Sequence, residues 1–182
     1  MRESVHTEFM RLYTPLHDRF IRYCSNHAYG IMDTEDLVQE TILTTMQRFH
    51  TLRDPEKLLS YMISVANNTV RDQLRRKKFT GEYNEKAFQR LESRTTDPET
   101  AMDIHHLHLA LQALPVRDKE AVLMFEINGF SIEEIAIVQH SGTNATKTRL
   151  SRAREKLRVL MGDSTTDIGS QKKKSVKLFT LL

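Results

Sequence analysis

The chain has 182 residues, 39% of them hydrophobic and 28% charged, which is an ordinary globular composition with room for one or two small cores. Six Gly and four Pro are too few for a turn-rich sheet protein and favour helices. A net charge of +3 excludes a strong whole-molecule field, yet a pI near 9.0 admits a nucleic-acid partner wherever the basic residues cluster.

The opening residues Met1-Arg2-Glu3-Ser4-Val5-His6 lack the apolar run of a signal peptide, and no stretch approaches the roughly 18 apolar residues that span a bilayer. A cytoplasmic protein with cytoplasmic partners is expected, without membrane insertion. Phe9, Leu12, Leu16, Phe20 and Tyr23 recur at helical spacing and predict a buried stripe, bent locally at Pro15. Cys24 is the only cysteine, which excludes an internal disulfide and a thiolate zinc cluster; it reads as a small buried hydrophobe.

After a break at Tyr29-Gly30-Ile31-Met32-Asp33, Thr34 reads as the N-cap of a second helical stretch, with Glu35 and Asp36 where the helix dipole favours acids. Val38, Ile42, Met46 and Phe49 are expected on its inner face. Asp36, Gln39, Glu40 and Leu43 share another face, at i, i+3, i+4 and i+7. Such an acidic face is usually only solvated, but it also suits a basic partner helix, with Leu43 as an apolar anchor. Past Arg53-Asp54-Pro55, a further helix starts near Glu56 with Leu59, Met62, Ile63, Ala66, Val70 and Leu74 inward. Its other side carries Ser64, Asn67, Asn68, Arg71, Arg75 and Lys78. The run Arg75-Arg76-Lys77-Lys78 exceeds what dipole compensation needs, and asparagines beside it can read base edges. Tyr61 and Phe79 are candidate stacking platforms for single-stranded DNA, Tyr61 serving equally well as core.

Thr80 to Asp103 is polar and reads as a flexible linker, either disordered or with a short helix near Asn84 to Leu91. Leu107, Leu111 and Leu114 then begin a helix that Pro115 ends. Ala121, Val122 and Phe125 lie on the next, stopped by Asn128-Gly129. Ser131 and Glu134 form a capping box for a short helix with Ile132, Ile135 and Ala136 inward. A turn at His140-Ser141-Gly142 leads to a basic helix with Leu150, Ala153, Leu157 and Leu160 inward and Lys147, Arg149, Arg152, Arg154, Lys156 and Arg158 elsewhere. Cap, tight turn and cationic helix in that order match a helix-turn-helix, whose cations neutralise phosphates while early residues of its second helix reach base edges. Residues beyond Gly162, polar, then basic, then apolar, read as a mobile tail.

These motifs resemble those of the extracytoplasmic-function (ECF) sigma factors. Asp33-Thr34-Glu35-Asp36-Leu37-Val38-Gln39-Glu40-Thr41 resembles the region 2.2 signature. Leu58 to Asn68, followed by Asp72-Gln73-Leu74-Arg75-Arg76, resembles regions 2.3 and 2.4. Leu114-Pro115 is similar to the Leu-Pro of region 4.1, while Gly129 to Ala136 and Lys147 to Arg154 resemble region 4.2. The resemblance covers most of the chain except linker and tail. It implies that Asp36, Gln39 and Glu40 dock on the coiled coil of the polymerase's largest subunit. Asn68 would meet a flipped base of the minus-ten element, flanked by Arg71, Arg75 and Arg76. Lys147, Thr148, Ser151 and Arg152, with Arg149 beside them, would read the minus-thirty-five element. Members of the family are often held inactive by an anti-sigma protein, which makes one a candidate partner.

Four positions depart from the family pattern. Tyr61 stands where Trp is usual. His140 replaces the Gly of the helix-turn-helix turn, and Ser141 and Thr146 replace apolar residues, so a positive-φ residue other than Gly and two buried hydroxyls in need of partners are expected.

The expected architecture is all-α. Residues 1–79 form a polymerase-docking and minus-ten domain, 80–103 a linker, 104–161 a minus-thirty-five helix-turn-helix domain, and 162–182 a tail. The expected function is promoter-specific initiation with core RNA polymerase and promoter DNA as partners, no cofactor, no small-molecule substrate and no catalysis. Glu35, Asp36 and Glu40 lack a histidine at ligand spacing, and His105, His106 and His108 lack i, i+4 spacing, so no metal site is expected. There is also no glycine-rich phosphate loop or nucleophile motif. Two other readings stay open. An ordinary helix-turn-helix regulator would leave the acidic face unexplained, and a sigma-like polymerase-binding protein without initiation activity would suit the unusual turn.

Overall fold

A computed structural model describes residues 2–77 and 98–162; Lys78, Phe79, the Asn84 to Leu91 stretch and the tail beyond Gly162 lie outside the described residues. The chain divides into two compact units, Met1–Gly81 and Glu82–Leu182. Every regular element among the described residues is helical.

In the first unit, α1 (Arg2–Tyr13) passes through a 3-10 turn at Thr14–Leu16 into α2 (His17–Ala28). Pro15 cannot donate to a helical ladder, so the helix is redirected there. The Thr14 hydroxyl donates to the Met10 carbonyl at 2.7 Å beside it. The buried stripe is Phe9, Tyr13, Phe20, Tyr23 and Cys24, whereas Leu12 and Leu16, expected inside, are only half-buried, Leu16 because it lies in the turn itself. Phe9 stacks on Tyr13 at 5.6 Å and meets Phe49 edge-on at 5.6 Å. Aromatic pairs of this kind add about 0.5–1.5 kcal/mol beyond their buried area.

Helix α3 (Thr34–Arg48) is capped by Asp33, whose carboxylate accepts from the Glu35 amide at 2.8 Å. Thr34 therefore falls in the first turn and is not the cap. Asp33 does the same work one residue earlier, with extended backbone suited to an N-cap. A second Asx cap, Asp54 accepting from Glu56, opens a 3-10 turn at Pro55–Lys57 that feeds α4 (Leu58–Lys77). Leu58, Leu59, Met62, Ile63, Ala66 and Val70 are buried along α4, while Leu74 is only half-buried. Each large side chain in that row contributes about 1.5–3 kcal/mol by leaving water.

In the second unit, α5 (Pro98–Gln112) begins earlier than expected, inside the stretch read as linker. Proline suits a first helical turn, and Pro98 supplies that start. Pro115 then separates α5 from α6 (Val116–Glu126), and Gly129 at φ 64° closes α6. Helix α7 (Ile132–Val138) opens with the complete Ser131–Glu134 capping box, at 2.8 and 3.1 Å. Helix α8 (Thr143–Leu160) packs Leu150, Ala153 and Leu157 inward, against a core including Leu111, Val122, Leu123, Met124 and Ile135. Leu160, expected inside, is 47% exposed at the last residue of α8. Phe125 is half-exposed, its ring covered by the Arg154 guanidinium at 4.6 Å.

Candidate polymerase and nucleic-acid interfaces

Helix α3 turns Leu37, Thr41 and Thr45 to the core, with Phe49 buried just beyond it. Val38, Ile42 and Met46, expected inside, sit half-buried on the flank. Thr45 can occupy the interior because a helical hydroxyl can bond back one turn, and it donates to the Thr41 carbonyl at 2.7 Å, whereas the buried Thr41 hydroxyl makes no hydrogen bond among the described residues. Asp36, Gln39 and Glu40 are exposed, and Leu43 is 61% exposed between them. An acidic strip with one protruding apolar side chain is thus presented to solvent.

On α4, Asn68 is exposed and accepts from Arg71 Nη1 at 3.2 Å, while Arg75 pairs with Asp72 and Arg76 is exposed. Tyr61 is half-buried near the start of the helix. Asn67, expected on this outer side, is instead 1% exposed, and its Oδ1 accepts the Tyr23 hydroxyl at 2.6 Å. Facing α2, it is withdrawn from any ligand on the Asn68 side. The sequence offered no signal for this, since neighbouring asparagines look alike until a partner on another helix is known.

The helix-turn-helix turn takes the form of a Schellman closure. Ser141 N–H donates to the Ala136 carbonyl at 2.9 Å and His140 N–H to Ile137 at 3.1 Å, with His140 at φ 48°. The expected left-handed histidine is therefore present. The two hydroxyls resolve each other: Ser141 Oγ and Thr146 Oγ1 lie 3.0 Å apart, and Thr146 also donates to the Gly142 carbonyl at 3.1 Å.

Along α8, Lys147, Thr148, Ser151 and Arg152 are exposed on one side. Arg149 is not. Its Nη1 donates to Gln139 Oε1 at 2.6 Å and to Ser141 Oγ at 3.4 Å, and its Nε lies 3.6 Å from Asp118 Oδ1, leaving the side chain 15% exposed. Gln139 in turn donates to the Arg117 carbonyl at 2.8 Å and to Glu120 at 3.3 Å. Arg149 thus belongs to a buried polar network that ties α8 to α6 and the turn. Asp118, 3% exposed, also receives Arg152 through Nε at 3.1 Å and Nη2 at 2.9 Å. That hydrogen-bonded pairing holds the Arg152 guanidinium above its ordinary pKa. Asp118 and Gln139 were missed in the sequence. An acid in a helix's first turn reads as dipole compensation, and nothing local points to a partner 34 positions away.

Among the described residues no group of three His, Cys, Asp or Glu side chains could hold a metal ion, and no helix is long and apolar enough to cross a membrane. His108 is buried and His106 exposed, so the histidines of α5 diverge.

Residues 12–80 match the family Sigma-70 region 2 and residues 105–157 the family Sigma-70, region 4. Over 140 residues the chain is 29% identical to RNA polymerase sigma factor SigV of Bacillus subtilis, covering 77% of this chain and 82% of the relative. It is likewise 29% identical over 140 residues to RNA polymerase sigma factor CarQ of Myxococcus xanthus, covering 74% and 78%. Among solved structures, CnrH in complex with the cytosolic domain of CnrY superposes with a TM-score of 0.65 at 19% identity, covering 88% of this chain and 91% of that one. The sigma factor RpoE in complex with the anti-sigma factor NepR, from Bartonella quintana, gives 0.64 at 20% identity, covering 84% and 97%. At these identities the superpositions speak for the fold, and the matched families and relatives speak for kinship. With a region 2 followed by a region 4 on one chain, the protein belongs to the ECF sigma factors, the non-enzymatic initiation factors that direct RNA polymerase to promoters.

Proposed function

We propose that residues 1–79 act as the polymerase-docking and minus-ten domain and residues 104–161 as the minus-thirty-five domain, joined by a linker at 80–103 and followed by a tail at 162–182. The observation that carries this is the pairing of two outward surfaces on one chain: the acidic face of α3 and the polar, cationic face of α8. Asp36, Gln39, Glu40 and Leu43 bind core polymerase. Leu43 is the apolar centre, and the carboxylates face a basic partner helix.

Asn68, with Arg71, Arg75 and Arg76, holds the minus-ten strand, the asparagine offering an amide to a base and the arginines their charge to phosphate. Tyr61 supplies a stacking edge. Asn67 acts indirectly, by fixing α4 against α2 through Tyr23. Lys147, Thr148, Ser151 and Arg152 contact the minus-thirty-five element, and Arg149 holds the turn that aims them. The chain works in the cytoplasm, without cofactor or chemistry of its own. An anti-sigma protein is a fitting regulator, since the two structural neighbours named above were solved with a bound partner, in one case an anti-sigma factor.

Reconstituted transcription tests the proposal. Purified chain added to core polymerase is expected to give run-off transcripts from a small subset of the organism's upstream regions. Absence of core binding would defeat it, and core binding without any transcript would select the polymerase-docking role alone.

A further inference from the structure

We infer that Asp118 is a positioning residue for promoter reading: its buried carboxylate grips one edge of the Arg152 guanidinium and leaves the other edge to meet a guanine. The inference rests on the reading of α8 as the groove-entering helix.

A guanidinium carries five N–H donors in a flat fork. Asp118 accepts from Nε at 3.1 Å and from Nη2 at 2.9 Å, which uses the side edge of that fork. The end edge, made by one Nη1 proton and the second Nη2 proton, is left over. Arg152 itself is 64% exposed although its anchor is 3% exposed, so a rigid base carries a solvent-facing reader. Two parallel N–H groups on an end edge match the adjacent O6 and N7 acceptors of guanine in the major groove. Adenine offers one acceptor beside a donor, thymine one acceptor, and cytosine a donor, so the fixed fork discriminates. An unanchored arginine at an exposed helical position would sample many rotamers and reach phosphates as readily as bases.

Arg149 makes the arrangement separable from stability. Its Nε lies 3.6 Å from the same carboxylate, and it is itself fixed by Gln139 at 2.6 Å. Asp118 therefore keeps a cationic neighbour when Arg152 is removed, and the buried charge is not orphaned.

The test uses core polymerase loaded with the full chain and offered duplexes of randomised sequence, the bound ones being sequenced. The wild type is expected to enrich a motif containing a guanine that Arg152→Ala no longer selects. Asp118→Asn, nearly isosteric but uncharged, is expected to lower that guanine preference about tenfold while other motif positions keep theirs. The double variant is expected to be no worse than Arg152→Ala, because both changes act through one contact.

An unchanged guanine preference in a folded Asp118→Asn protein, or a motif in which Arg152→Ala alters no guanine, overturns the inference and leaves the sigma reading intact. A wild type that enriches no motif overturns both. If Asp118→Asn does not fold, the Arg152 Nε–H resonance of the wild-type chain on the enriched duplex decides. Slow exchange with water, retained on binding, supports the anchor, and its loss on binding overturns it.

Discussion

Tyr23 on α2 and Asn67 on α4 share a buried 2.6 Å hydrogen bond that joins the two helices across the core of the first unit. Tyr23→Phe keeps the ring but leaves the Asn67 carbonyl oxygen without that donor. A buried acceptor so deprived costs about 1–3 kcal/mol. Urea unfolding of the variant is expected to show that loss, and an unchanged midpoint would remove Asn67 from its fixing role.

The same bond can be followed through Cys24, which is fully buried and whose thiol is pushed well up by burial. The folded protein is therefore expected to resist a thiol-reactive chromophore, reacting only through transient opening. Tyr23→Phe should raise the labelling rate roughly tenfold, in line with the lost hydrogen bond. Rapid labelling of the folded wild type would contradict the burial.

Charge reversal at Asp36 and Glu40, and truncation of Leu43, test the docking face. These side chains are exposed, so melting should shift by no more than about 0.5 kcal/mol equivalent. Core-polymerase affinity is expected to fall about tenfold for Leu43→Ala and further for the double reversal. Collapse of the circular dichroism signal would assign these residues to the fold instead.

His140 holds φ 48°, a left-handed backbone that disfavours a side chain. His140→Gly relieves about 1–2 kcal/mol of strain and returns part of it as unfolded-chain entropy, for a net gain near 0.5–1 kcal/mol. The melting temperature of the second unit is expected to rise by a few degrees. A fall would mean that the imidazole makes a contact worth more than the strain.

His108 sets a pH dependence. Burial, with Lys119 and His105 nearby, pushes it down to about 3, whereas an unfolded histidine titrates near 6.5. Its contribution is fully present above about pH 6.5, where both states are neutral, and declines as the pH falls toward 3, because the unfolded chain takes up the proton first. The slope is at most about 1.4 kcal/mol per pH unit. Denaturation of the wild type at about pH 7, 6 and 5 is expected to show it, and His108→Gln to flatten it.

Local chemistry was legible in the sequence, and long-range chemistry was not. The Ser131–Glu134 box and the Gly129 stop follow from neighbours within a few positions, so residue types alone located them, while the left-handed His140 was expected from the glycine usual at that position in the resembled family. The acidic strip of α3 was also legible, although its inner face was misread. Thr41 and Thr45 look polar by type, and only a bond back along their own helix shows that one of them sits comfortably inside. Arg149 looked like any other cation of a DNA-reading helix. Its partners Gln139 and Asp118 lie on other segments and become visible only once α6, the turn and α8 are brought together.

That network changes how the cations of α8 should be counted. Arg149 and Arg152 meet Asp118, Arg154 meets Glu126, and Arg158 meets Glu155. Charges already matched within the protein attract fewer condensed ions and displace fewer from a duplex. Upstream-element affinity should then decline with ionic strength more gently than the roughly 0.9 log units per log unit of salt, per phosphate, that six unmatched cations would each bring.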